Sequence, residues 1–292
     1  MSCRNWYLSY GGGLGDVVYD YLKDRSAWRL ASLVKDYGGR VRVYTLCHND
    51  GVNDLFRQHP YIAEHISEPW HLSVPEDAVR FSNPIDGYLP LQHDQYFRRE
   101  FGMDFQLEQP EIYLSPQEKA QLAALGGQRP LIVAQPFAGL SDRDGYDSDS
   151  FEKQVAQIVR LDSRARIVVV GKNHARTHKY APEVLNFSHP NVVNLIDRAG
   201  IRFCWHLVYQ ADAFLGCHSN LIRTAWDARK RNACILPWPL MERHLSEIDG
   251  KYTFGWRYSE SRRFTYPFDG TGQRQFDKLD TGGIARFILG RE

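Results

Sequence analysis

Tyr10-Gly-Gly-Gly-Leu-Gly-Asp-Val-Val-Tyr19 follows a short β-prone run, Trp6-Tyr-Leu-Ser-Tyr10, and leads into the helix-compatible Asp20-Tyr-Leu-Lys-Asp-Arg25. Four glycines in five positions stop at one aspartate, where a helix would begin. A glycine-rich turn between strand and helix lets backbone approach a ligand, because glycine tolerates positive φ and has no side chain in the way. The dinucleotide fingerprint GxGxxG does not fit. Gly11-x-Gly13 is followed by Asp16 where the third glycine should stand, and no acid at the end of the second strand is well spaced for a ribose. A Walker loop fails for want of Gly-Lys-Ser/Thr. On spacing alone Asp16 is an N-terminal helix cap, a position that favours aspartate.

Outward from this turn, short apolar strands alternate with longer amphipathic segments, the pattern of α/β units with parallel sheets. In the first half the expected strands are Trp6 to Ser9, Val41 to Leu46 and Ile62 to Ile66, with helical segments near Asp16 to Asp36 and Val52 to Gln58. Residues 68 to 100, rich in aromatics and Pro, carry no readable pattern. Ala124-Leu-Gly-Gly-Gln-Arg-Pro130 reads as a linker, and the alternation then restarts. Strands are expected at Leu131 to Gln135, Arg166 to Gly171, Val192 to Leu195, Ala213 to Gly216 and Ala233 to Leu236. Helices are expected near Phe151 to Leu161, at Phe203 to Gln210 and at Asn220 to Ala228. The expectation is two Rossmann-like domains, residues 1–128 and 129–292, with the last periodic segment, Gly283 to Leu289, packing back on the first domain.

The composition, 43% hydrophobic and 24% charged over 292 residues, is that of a folded protein rather than a disordered or fibrous one. No apolar run reaches the roughly 18 to 20 residues needed to span a bilayer, and the first segment lacks a basic-then-apolar signal, so a cytoplasmic protein is expected. Peripheral association with a membrane stays compatible with this. Cys3, Cys47, Cys204, Cys217 and Cys234 are never closer than 13 positions, so no CxxC pair exists and they read as thiols. The net charge of +1 is unevenly placed: residues 1 to 130 hold 13 basic and 17 acidic side chains, and the second half is basic. That half is the better candidate for a phosphate-bearing ligand.

Gly13-Leu-Gly-Asp-Val-Val-Tyr19 resembles the N-terminal motif of the heptosyltransferase-like glycosyltransferases of family nine. The likeness continues through His59-Pro-Tyr-Ile-Ala-Glu-His-Ile66, Pro110-Glu-Ile-Tyr-Leu-Ser115, Pro130-Leu-Ile-Val-Ala-Gln-Pro-Phe-Ala-Gly139 and Val168-Val-Val-Gly171. It ends with Tyr209-Gln-Ala-Asp-Ala-Phe-Leu-Gly-Cys-His-Ser-Asn-Leu-Ile-Arg-Thr-Ala225. The resemblance implies an α/β GT-B fold, two Rossmann-like domains facing across a cleft, with acceptor on the first and nucleotide sugar on the second. It implies an inverting transfer that needs no metal or other cofactor beyond a nucleotide-diphosphate sugar donor. Asp16 would be the general base, with Gly12, Gly13, Leu14 and Gly15 making room for the acceptor. Gln135, Phe137, Gly171, Lys172, Leu195, His218, Ser219, Asn220 and Arg223 would bind the donor. The expected acceptor is a cell-envelope saccharide.

The sequence departs from the family in its second-domain motif, roughly Asp-Ser/Thr-Gly-x-x-His-x-Ala, which here is His218-Ser219-Asn220-Leu-Ile-Arg223-Thr-Ala225. Two readings of Arg223 stand: a phosphate contact in place of the family's histidine, since guanidinium suits diphosphate geometry, or a surface arginine. Gly139-Leu-Ser-Asp-Arg-Asp-Gly145 stands where family members carry a basic-Trp pair, which leaves the donor open.

Asp147-Ser-Asp149 matches the DxD of metal-dependent glycosyltransferases, but Asp149 followed by Glu152 reads better as an acidic helix start. His174-x-x-x-His178 has metal-pair spacing without a zincin glutamate or an evident third ligand. Two other functions fit the chain. One is a glycosyltransferase acting on a hydroxymethylated DNA base, suggested by the basic and aromatic Trp256 to Tyr266 segment. The other is a GT-B binding module that has lost catalysis, suggested by the altered His218-Ser219-Asn220 motif.

Overall fold

A computed structural model describes residues 5–9, 41–45, 51, 54–55, 57–60, 62–67, 79–82, 112–127, 129–137, 146–172, 185, 187, 189–217, 219–237, 260–267 and 275–291. The chain divides into two compact units, Met1–Pro116 and Gln117–Glu292.

The first unit carries a four-stranded sheet of β1 (Asn5–Ser9), β2 (Val41–Thr45), β3 (Ile62–Ser67) and β4 (Val79–Ser82), in the order β3-β2-β1-β4. Every pairing is parallel. The order reverses between β1 and β4, so the chain leaves Ser9, at the carboxyl end of β1, on the switch point where open α/β sheets bind ligands. Close by in sequence, Leu55 and His59 are buried, and the His59 ring meets Tyr113 edge-on at 5.1 Å.

The second unit begins with α1 (Pro116–Leu125), whose Glu118 accepts from the buried Arg202 at 2.9 Å. Its elements are then β5 (Leu131–Gln135), α2 (Ser148–Leu161), β6 (Arg166–Val169), β7 (Val192–Asn194), α3 (Ile201–Gln210), β8 (Ala213–Cys217), α4 (Asn220–Asp227), β9 (Arg231–Pro237), β10 (Ser261–Tyr266), a 3₁₀ turn at Phe276–Lys278, and α5 (Thr281–Leu289). The six strands run parallel in the order β10-β9-β8-β5-β6-β7. Outward from β5 this is the 3-2-1-4-5-6 order of the dinucleotide-binding fold, with its switch point between β5 and β8.

β5 and β8, the two central strands, are buried at every position, as strands covered on both faces must be. Alternate residues Ile132, Ala134, Ile167, Val169, Leu215 and Ile235 share one core with α2 and α5. The opposite face is covered by α3 and α4. In α2, Phe151, Val155 and Ile158 recur at helical spacing and are buried. The start of that helix is capped by Asp147, whose carboxylate accepts from the Ser150 amide at 2.7 Å. Gly216 lets β8 lie against β5, since a Cβ there would stand 2.8 Å from the Gln135 carbonyl oxygen.

Two expectations need correction. The Gly126 to Pro130 break separates α1 from β5 inside the second unit, because α1 is tied to α3 through Glu118 and Arg202 and the division of the chain falls after Pro116. The last helix is built into the second unit. Ile284, Ala285, Phe287 and Ile288 join the core of the second sheet, Gln154 donates to the Thr281 carbonyl, and Arg231 donates to that of Ile288. The acidic helix start read at Asp149 is present, with Asp149 in the first turn of α2 and Asp147 as its cap. No described helix is long and apolar enough to cross a membrane.

Candidate functional site

The carboxyl ends of β5, β6 and β8 bring together residues far apart in the chain. Gln135 closes β5 and is only 8% exposed. It has the same strand parity as Leu131 and Val133, which places it on the face covered by α3 and α4. Its side chain lies over Gly171, just past the end of β6: a Cβ on that glycine would be 3.5 Å from Gln135 Cγ. Gly171 has φ +125°, a conformation that side-chain-bearing residues rarely adopt. At its other end Gln135 reaches the loop after β8, where Ser219 Oγ donates to Gln135 Oε1 at 2.5 Å.

Ser219 occupies the N-cap of α4, and its side chain makes no capping bond there. The first residue of the helix, Asn220, is half-buried; its Nδ2 is shielded from solvent and meets no acceptor. Its carbonyl accepts from Thr224 Oγ1 at 3.1 Å. An uncapped helix start with a shielded amide donor beside it is suited to an anion, because the first amides of a helix have no intrahelical partner and the helix dipole is positive there.

On the opposite face, beneath the same edge, stands Tyr146, whose amide donates to the Pro136 carbonyl at 3.0 Å. Its ring meets Phe151 edge-on at 5.3 Å and stacks on Phe276 at 6.2 Å. Its hydroxyl is buried without a partner. Burial first, then the neighbouring Cys217, Tyr266 and Cys234, push the phenol well above its ordinary value, so it stays protonated. Cys204, Cys217 and Cys234 are buried.

Of the donor-side residues expected from the sequence, Gln135, Gly171, Ser219 and Asn220 therefore meet at one edge. Phe137 packs against the hydrophobic core, Lys172 is exposed beside Gly171, and Leu195 extends the β7 ladder through a 2.8 Å bond from its amide to Val169. Arg223 lies within α4, one turn from Ser219; its side chain is outside the described residues, as is His218. Gly12, Gly13, Leu14, Gly15 and Asp16 also lie outside them, as do His174 and His178. Among the described residues no three His, Cys, Asp or Glu side chains are placed to hold a metal ion. The sequence did not foretell the Gln135–Ser219 bond or the orphaned Tyr146 hydroxyl.

No protein-family model and no curated protein sequence matches the chain. Solved structures do. The chain is similar to Escherichia coli ADP-heptose LPS heptosyltransferase II at a TM-score of 0.57 and 12% identity, over 98% of each chain. It is equally similar in TM-score, 0.57, to a family 9 glycosyl transferase from Veillonella parvula DSM 2008, at 7% identity over 99% of this chain and 98% of that one. E. coli heptosyltransferase WaaC with ADP gives a TM-score of 0.55 at 10% identity, over 99% of this chain and all of that one. The likeness is one of fold, and it makes the chain an α/β protein of GT-B type with two Rossmann-like units.

Proposed function

We propose that the protein is a heptosyltransferase-like glycosyltransferase that binds a nucleotide-diphosphate sugar on its second unit and an acceptor on its first. The observation that carries this is the meeting of Gln135, Gly171, Ser219 and Asn220 at the switch point of a 3-2-1-4-5-6 sheet, with a shielded donor on Asn220 and an uncapped helix beside it. The same fold in three glycosyltransferases, one of them with ADP, supports the reading and makes ADP the first nucleotide to test.

The transfer we propose is inverting and metal-independent. The acceptor hydroxyl oxygen attacks the anomeric carbon from the side opposite the diphosphate, and Asp16 takes the hydroxyl proton. The bond from the anomeric carbon to the β-phosphate oxygen breaks, and the diphosphate leaves with the electron pair. The charge that develops on it is met by the first amides of α4, by Asn220 and by Arg223. Asp147, half of the DxD sequence, is already engaged as the cap of α2. A cell-envelope saccharide is the proposed acceptor. The basic segment that suggested DNA is described only at its end, as strand β10, where Arg262 lies 5.0 Å over the Phe287 ring, and nothing described there favours a nucleic acid.

The test is donor turnover in the presence of EDTA by the wild type and by Asp16→Asn. The wild type should release nucleotide diphosphate without added metal. The variant should bind the donor as tightly and lose about 10²- to 10⁴-fold in rate, the usual range for a general base. A wild-type rate in Asp16→Asn would reduce Asp16 to a helix cap. Donor binding without turnover by the wild type would favour a binding module that has lost catalysis.

A further inference from the structure

A serine at a helix N-cap ordinarily turns its hydroxyl oxygen back to accept from the amide of the second or third helical residue. Ser219 has the extended backbone of such a residue, φ −152° and ψ 177°, yet its side chain makes no capping bond. Its hydroxyl is directed instead to Gln135 Oε1, across 84 residues of sequence. Gln135 is in turn held in place. It is 8% exposed and lies against Gly171, whose φ of +125° keeps that surface free of a side chain.

We infer that Gln135 is a positioning residue: by accepting the Ser219 hydroxyl it holds that side chain off the first turn of α4 and so keeps the Leu221 and Ile222 amides available to a phosphate. This rests on the proposal that α4 receives a diphosphate, but its physical content does not need the ligand. Two positions of Ser219 Oγ compete, one from which it donates to the Gln135 amide oxygen and one from which it would accept from the helix's own amides. Gln135 wins because it is buried and fixed, and a buried acceptor left without a donor is costly. Released, Ser219 would cap the helix and occupy what the ligand needs. The orphaned Nδ2 of Asn220, the next residue, is then the second donor left open on the same turn.

The experiment is amide hydrogen exchange at Leu221 and Ile222 in the ligand-free full chain, followed by NMR. Gln135→Met keeps length and removes the acceptor, so Ser219 should cap and slow one of these amides roughly fivefold, the equilibrium equivalent of an ordinary cap. Gln135→Glu restores an acceptor at the same reach and should exchange like the wild type. Gln135→Met combined with Ser219→Ala should show no slowing. If Gln135→Met does not fold, Gln135→Asn, one methylene shorter, carries the same expectation. Unchanged exchange in the variant that folds, or equal slowing with Ser219→Ala present, overturns the inference. In a second arm, Gln135→Met should weaken nucleotide-diphosphate binding roughly fivefold, leave nucleoside binding unchanged, and add nothing in the Ser219→Ala background. A wild type that binds no nucleotide diphosphate would retire the phosphate reading, while the exchange arm would still decide whether Gln135 positions Ser219.

Discussion

At the amino edge of the second sheet, Asp212 accepts from the Leu131 amide at 2.7 Å and from Arg129 at 3.0 Å. Asp162 accepts from the Arg164 amide and guanidinium and, at 2.9 Å, from Arg291. Asn232 is bonded to Trp226, to the Lys230 carbonyl and to Ser261. At the carboxyl edge of the same sheet Ser219 is turned from its helix, Asn220 Nδ2 has no acceptor, and Gly171 holds a positive φ that a side chain would strain. Among the described residues these polar groups of the first edge are satisfied within the protein, with Arg166 Nε an exception. The second leaves donors for something else. Buried polar groups are almost always satisfied, so an edge that departs from the rule is a candidate for binding and one that obeys it is a candidate for stability.

The contrast predicts that substitutions at the two edges separate binding from folding. The largest effect should come from Asn220→Ala. Loss of a hydrogen bond to a charged group should weaken nucleotide-diphosphate binding by about 1.5–3 kcal/mol, roughly tenfold to a hundredfold. Thermal stability should barely move, because Asn220 Nδ2 has no partner to lose. Calorimetric titration beside a melting curve checks both, and equal losses in each would erase the distinction.

Asp212→Ala should do the reverse. It leaves the buried Leu131 amide without its acceptor, which costs about 1–3 kcal/mol in denaturant unfolding, while diphosphate affinity stays at the wild-type value. The Arg129 pair adds little, since both side chains are substantially exposed.

A smaller effect is tied to pH. The hydrogen bonds from Arg164, opposed by burial and aided by Arg291, hold the Asp162 carboxyl below its ordinary value of 3.8. A carboxyl lowered in the folded state stabilises that state above its unfolded value, and the contribution is lost as pH falls through the lowered one. Asp162→Asn should therefore cost about 0.5–1 kcal/mol at neutral pH, and the two unfolding curves should converge as the pH drops below 3.8. Curves that stay parallel into acid would show that the Asp162 charge contributes nothing.

The smallest effect is expected from Tyr146→Phe. The hydroxyl removed is buried without a partner, so stability should stay level or rise by up to about 1 kcal/mol. A clear loss in a thermal melt would mean that the hydroxyl has a bonded role.

How much of this was legible in the sequence follows from where the apolar patterns are strong. β5, β6 and β8 are continuous apolar runs, and sequence reading places each within a residue or two. α1 is invisible because it buries only Leu122 and shows no apolar stripe. β10 hides behind Arg262 and Arg263: an edge strand needs less apolar surface, and its basic residues read more readily as a surface patch. The Gly283 to Leu289 pattern shows a buried face but not which core receives it, since that depends on partners such as Gln154 and Arg231. For the site, resemblance pointed to Gln135 and Ser219 separately. Their bond spans 84 residues and exists only because β5 and β8 are neighbours, which no local pattern records.

The central claim is that the carboxyl edge of the second sheet receives a diphosphate. Its most direct test is an amide hydrogen-exchange map of the full chain with and without saturating nucleotide diphosphate, using ADP and then GDP, UDP and CDP, each beside its nucleoside. The account predicts that at least one diphosphate slows exchange at Gly171 and at Ser219 to Ile222, that its nucleoside does not, and that the amino edge around Leu131 and Arg164 is unaffected. No slowing at Ser219 to Ile222 with any of the four, or the same slowing with nucleoside alone, would contradict it.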